Sequence, residues 1–129
     1  IGHDQRFRAS NIEFKLPKPS YTVDTITYLK EQHPEYKFTM IMGADQLPSF
    51  HKWKNPEILR KEISFIVYPR PNFENHELLN SSEFQHIDAP LMEISASFIR
   101  KSIAAGKDVR HFLHSAVWEY CDEMKFFSL

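Results

Sequence analysis

Phe38-Thr39-Met40-Ile41-Met42-Gly43-Ala44-Asp45 decides the fold. The run is apolar without clean alternation and stops at a glycine followed by an acid. Such a segment reads as a buried strand of a parallel sheet, because a strand covered on both faces loses the two-residue alternation of a half-exposed one. Ile63-Ser64-Phe65-Ile66-Val67-Tyr68, ended by Pro69-Arg70-Pro71, has the same character. Between the two, residues 46–54 read as loop or short helical turns rich in aromatics, and Asn55-Pro56 opens a short helix to Lys61, with Asn55 as its cap. Upstream, Ser20 to Thr22 starts a helix that Pro34 stops, with Asp24 in the first turn, where the helix dipole favours an acid. Strands alternating with helices imply an α/β fold, a parallel sheet covered by helices on both faces. Ligands bind beyond the carboxyl ends of such strands. The Gly43-Ala44-Asp45 and Pro69-Arg70-Pro71 loops are therefore the first places to seek a site.

Working outward, Ile12-Glu13-Phe14-Lys15-Leu16 alternates apolar and charged residues and predicts a short strand before Pro17 and Pro19. Residues 72–83 are polar and mostly loop, with a helical turn near Leu78, and Phe84 to Asp88 is a third candidate strand. Ile94 to Ala105 is the best-defined helix. Ser95 is its natural N-cap, Phe98, Ile99 and Ile103 give it an apolar side, and Gly106 ends it. A last helix spans about Ser115 to Asp122, and the apolar tail Met124-Lys125-Phe126-Phe127 predicts packing.

The 129 residues suffice for a single domain. A formal charge of −1 leaves no global field for nucleic acid or an anionic membrane, and no run approaches the length of a transmembrane helix. One cysteine, Cys121, cannot close an internal disulfide, which fits a reducing cytoplasmic setting. Cys121 has no histidine at nucleophile-like spacing and reads as a packed thiol. His111 and His114 lack a neighbouring carboxylate or cysteine at ligand spacing, so no metal site is expected. Lys52, Lys54, Arg60 and Lys61 form a modest basic cluster, by default a solvated face, with Lys52 and Lys54 able to raise the local potential for phosphates.

The chemistry concentrates in Ile94-Ser95-Ala96-Ser97-Phe98-Ile99-Arg100. If Ser95 caps the helix, the unbonded amides of the first turn point outward beside the positive end of the dipole. Ser95 and Ser97 add hydroxyls, and Arg100, three residues past Ser97, shares its face. Together they form a phosphate cradle in chemical terms. The plainer alternative is a cap at Ser95 and a solvated Arg100.

That stretch resembles the ISxTxxR signature of the nucleotidylyltransferase superfamily, with Ser97 keeping the hydroxyl where Thr is usual. Lys18-Pro19-Ser20-Tyr21-Thr22-Val23-Asp24-Thr25 resembles the PSYTxxT segment of nicotinate-nucleotide adenylyltransferases. Ile41-Met42-Gly43-Ala44-Asp45 resembles their IxGxD strand and loop, followed by Trp53 where an aromatic is usual. Asp108-Val109-Arg110 through Tyr120 resembles their closing segment. The match runs from Phe14 to Tyr120. The resemblance implies a Rossmann-like parallel sheet flanked by helices, incomplete because N-terminal strands are absent. It implies that Ser95, Ser97 and Arg100 contact the triphosphate of ATP. It places Gly43 and Asp45 at the mononucleotide, with Asp45 on its ribose hydroxyls. Trp53 would stack on the nicotinate ring. Backbone amides near Trp53 and Lys54, with the Tyr21-Thr22 turn, would receive the nicotinate carboxylate. Arg70 is assigned to the adenosine side. Without the resemblance, Trp53 reads equally as a core aromatic and Asp45 as a loop-capping acid.

The implied reaction is adenylyl transfer from ATP to nicotinate mononucleotide, giving nicotinate adenine dinucleotide and pyrophosphate, with Mg²⁺ carried on the triphosphate. The family's catalytic HxGH segment has no match in the 129 residues. Ile1-Gly2-His3 is a poor remnant, because the family needs further helix–strand units before the segment at Ile12. The expectation is a chain lacking the N-terminal third, inactive alone, whose Phe38–Met42 edge is left unpaired and open to association, including with a second copy. The alternatives are another nucleotidylyltransferase, such as pantetheine-phosphate adenylyltransferase, or a non-catalytic nucleotide-binding or oligomerising module.

Overall fold

A computed structural model describes residues 4–73 and 75–127. Ile1-Gly2-His3, weighed above as a histidine-motif remnant, lies outside the described residues. The chain divides into two compact units, Ile1–Pro90 and Leu91–Leu129.

The first unit is built on a parallel sheet of β1 (Thr39–Gly43), β2 (Ser64–Tyr68) and β3 (Phe84–His86), in that order. Met40 stands opposite Phe65, Met42 opposite Val67, and Phe65 opposite Phe84. These side chains share one face, which carries the core. The other face is more open: Ile66 is half-buried and Ile41 is 68% exposed. The expected covering of both strand faces is thus not seen at β1. Among the described residues β1 is hydrogen-bonded on one side only.

Phe65 and Phe84 stack at 4.6 Å between centroids, and Phe50 meets both edge-on at 5.4 and 5.3 Å. Such pairs add about 0.5–1.5 kcal/mol each beyond their burial. Phe50 arrives there because Ala44–Lys52 is a 3-10 helix, interrupted at Pro48 only in its donors. Residues three apart eclipse in a 3-10 helix, so Ala44, Leu47 and Phe50 form one buried stripe. Trp53 continues the same spacing and is left half-buried against Phe50, 5.2 Å away.

Two helices flank the sheet in this unit, α1 (Thr22–Gln32) and α2 (Pro56–Glu62). Val23 of α1 and Leu59 of α2 are buried, and Lys30 forms an ion pair with Glu62 between the helices. Asn55 precedes α2 as expected but caps it by its backbone. It sits in the left-handed region at φ 49°, its side chain makes no cap bond, and its carbonyl accepts from Ile58 and Leu59. Glu77–Asn80 is the helical turn expected near Leu78.

Ile12–Lys15 is a 3-10 turn rather than the predicted strand. Its alternating pattern buries nothing: Phe14 is 82% exposed, and the Phe14 N–H donates to Asn11 within the same turn. Alternation specifies a strand only where a partner strand and a core face exist.

The second unit contains α3 (Ala96–Ala104) and α4 (Ser115–Glu123). Gly106, at φ +68°, ends α3 in the conformation that favours glycine. Phe98 is more exposed than the expected apolar side implies, but packs edge-on against Phe112 at 5.7 Å. In the tail Phe126 packs edge-on against Tyr120, whereas Met124 and Phe127 remain half exposed.

Candidate nucleotide site

The start of α1 and the end of the 3-10 helix enclose a cleft of about 180 Å³, lined by Ser20, Tyr21, Thr22, Lys52, Trp53, Lys54 and Leu59. Four predicted mononucleotide residues, Tyr21, Thr22, Trp53 and Lys54, thus line one hollow. Trp53 packs on the core cluster and also lines the cleft. Tyr21 caps α1 by its carbonyl, which accepts from the Asp24 and Thr25 amides at 3.0 and 3.1 Å.

At the carboxyl ends of β1 and β2 the remaining predicted residues of this unit meet. Arg70 Nε lies 3.7 Å from Asp45 Oδ1. Asp45 is the acid in the first turn of the 3-10 helix. Gly43 is buried beneath it. A Cβ on Gly43 would overlap Asp45 Oδ1 and stand 3.1 Å from Cζ and Oη of Tyr68. Glycine is what lets the carboxylate and the phenol approach the backbone there.

In the second unit, Ser95 caps α3 as expected, its Oγ accepting from the Phe98 amide at 3.1 Å. Arg100 Nη2 donates to Ser97 Oγ at 3.3 Å. The helix start therefore brings an exposed guanidinium and a hydroxyl together beside the free amides of its first turn, the donor set that suits an anion.

A profile described as cytidylyltransferase-like matches residues 2–102. The chain belongs to the cytidylyltransferase-like family. Within it, the chain is 46% identical over 124 residues to a probable nicotinate-nucleotide adenylyltransferase of Flavobacterium johnsoniae, covering 95% of this chain and 64% of that protein. It is 42% identical over 128 residues to a protein of the same name from Cytophaga hutchinsonii, covering 99% and 67%. The chain thus spans about two-thirds of the length of these curated relatives. Among solved structures, it is similar to Plasmodium falciparum nicotinic acid mononucleotide adenylyltransferase complexed with NaAD, at a TM-score of 0.70 and 26% identity over 84% of this chain and 57% of that one. The α/β fold expected from the sequence is the fold of this cytidylyltransferase-like chain.

Two residues near the site, Asp24 and Tyr68, were not singled out for it by the sequence. Asp24, read only as a dipole-compensating acid, pairs with Lys54 at 2.8 Å. Lys52, read as solvated or as raising the local potential for phosphates, lines the cleft. Tyr68, at the end of β2, stands over Gly43. The spacing of Ala44, Leu47, Phe50 and Trp53 was the available signal that the aromatic stretch is one ordered element. No local pattern ties Asp24 to a lysine 30 residues away. In the closing segment, hydrogen bonds from the Arg110 guanidinium hold the Asp108 carboxyl far below the usual carboxylate range. That pair organises its own turn.

Proposed function

We propose that this chain is the larger part of an enzyme that transfers AMP from ATP to nicotinate mononucleotide, releasing pyrophosphate and forming nicotinate adenine dinucleotide. One observation carries the reading: Tyr21, Thr22, Trp53 and Lys54, far apart in sequence, converge on a slot with a tryptophan in its wall. A flat aromatic acid stacks on such a wall. Asp45, held at the strand ends near Arg70, would hold ribose hydroxyls, with Arg70 toward the adenosine side. Ser95, Ser97 and Arg100 would hold triphosphate oxygens, and their charge and donors would favour departure of pyrophosphate. Mg²⁺ would neutralise part of the triphosphate charge. Among the described residues no group of three His, Cys, Asp or Glu could cage it, so phosphate oxygens and water would be its ligands. Because the 129 residues hold no HxGH segment, we propose that the chain binds nucleotides alone without turning them over. The protein would act in the cytoplasm.

In the full-length protein, Trp53→Ala is expected to raise the KM for nicotinate mononucleotide about tenfold and leave that for ATP unchanged. Arg100→Ala is expected to do the reverse. Absence of dinucleotide formation by the full-length protein would overturn the reading. So would preferential use of phosphopantetheine, which would make it a pantetheine-phosphate adenylyltransferase.

A further inference from the structure

The proposed chemistry leaves Asp24 without a task, yet its carboxylate is engaged. Lys54 Nζ donates to Asp24 Oδ2 at 2.8 Å and to Oδ1 at 3.1 Å. The same ammonium lies 4.7 Å from the centroid of the Tyr21 ring. Tyr21 and Asp24 belong to the start of α1, and Lys54 follows Trp53 at the end of the 3-10 helix. These are the two walls of the cleft. On the Trp53 side, the chain is fixed to the core by the Trp53 amide donating to the Phe50 carbonyl at 3.0 Å. Just beyond Lys54 it turns through the left-handed Asn55. The lysine is thus the point at which that wall is tied across to α1.

We propose that Asp24 is a positioning residue: with the Tyr21 ring it clamps Lys54 and so sets the width of the slot that receives the aromatic acid. The inference rests on the function proposed above and adds a determinant of its mononucleotide affinity. An ion pair and a cation–π contact at half-exposed groups are each weak. Their value here is preorganisation, because a slot already at stacking width spares the ligand the cost of ordering Lys54 and its neighbours.

The clamp has a signature that charge alone does not share. If Asp24 and Lys54 acted only through their fields, removing the acid would tighten binding of an anionic ligand and removing the lysine would weaken it. Loss of a clamp weakens binding from either side, and the second loss adds nothing. The test is initial-rate kinetics of the full-length protein with nicotinate mononucleotide and ATP, comparing Asp24→Asn, Lys54→Met, the double variant and Trp53→Ala. Asp24→Asn and Lys54→Met are each expected to raise the mononucleotide KM about fivefold, with kcat and the ATP KM unchanged and the double variant no worse than either of them. A KM that falls or stays constant in Asp24→Asn, or additive losses in the double variant, would overturn the clamp. If Trp53→Ala raises the mononucleotide KM while Asp24→Asn does not, the clamp alone fails. If neither raises it, the site itself has been misread.

Discussion

The Trp53 cleft and the Ser95 helix start are built in opposite ways. Every group at the helix start comes from one stretch, Ser95 to Arg100, and its geometry follows from a cap and a three-residue spacing. The cleft collects its groups from α1 and from the 3-10 helix, and it exists only because Phe50, Phe65 and Phe84 lock that helix onto the sheet. The helix start is therefore local chemistry, and the cleft is a product of the core. Damage to packing should abolish the cleft, while leaving a helix start intact unless its own cap is removed.

Phe65→Ala should be the most damaging change. It deletes a fully buried ring stacked on Phe84, at a cost of about 3–5 kcal/mol. Urea unfolding should show this loss, together with loss of mononucleotide binding by calorimetry. A destabilisation well under ~2 kcal/mol would mean that the cleft does not depend on the core in this way.

Gly43→Ala sharpens the comparison at the strand ends. The new methyl must displace Asp45 and crowd Tyr68, at an expected ~1–3 kcal/mol. Mononucleotide affinity should fall more than affinity for tripolyphosphate. Equal effects on both would break the distinction.

Ser95→Ala removes a cap bond at the surface, about 1 kcal/mol. It should weaken tripolyphosphate binding and leave the cleft untouched, which fluorescence titration of each ligand separately would resolve.

The smallest effect is a pH dependence confined to the first unit. A hydrogen bond from its own backbone amide, aided by the Arg60 guanidinium against the opposing pull of partial burial, holds the Glu83 carboxyl below its usual range. A carboxyl lowered by folding stabilises above its unfolded value, and that contribution disappears as pH falls through the folded value. Glu83→Gln should therefore cost under about 1 kcal/mol at neutral pH and nothing in strong acid, below both values. A constant difference across a series of thermal melts would refute this role.

The same contrast explains what could be read from the sequence. The runs at Phe38–Met42 and Ile63–Tyr68, the Ser95 cap and the Gly106 stop are local patterns, and each stands where its pattern puts it. The Ser97–Arg100 contact also follows from spacing alone. Ile12–Leu16 misled because alternation carries no information about whether a partner strand exists. Asn55 stands at the cap position its pattern gives it, but it supplies its carbonyl instead of its side chain, a choice the pattern does not specify. Asp24 and Tyr68 escaped notice because their partners lie far along the chain and are chosen by tertiary packing.

The position of Trp53 makes the cleft observable by light. The chain has two tryptophans, one in each unit. Trp53 has one side against Phe50 and lines the slot, whereas Trp118 borders a hollow with Cys121 and Phe126. A pyridine ring settling on Trp53 should quench that indole's emission, so a Trp118→Phe protein would carry a built-in optical gauge of occupancy needing no attached dye.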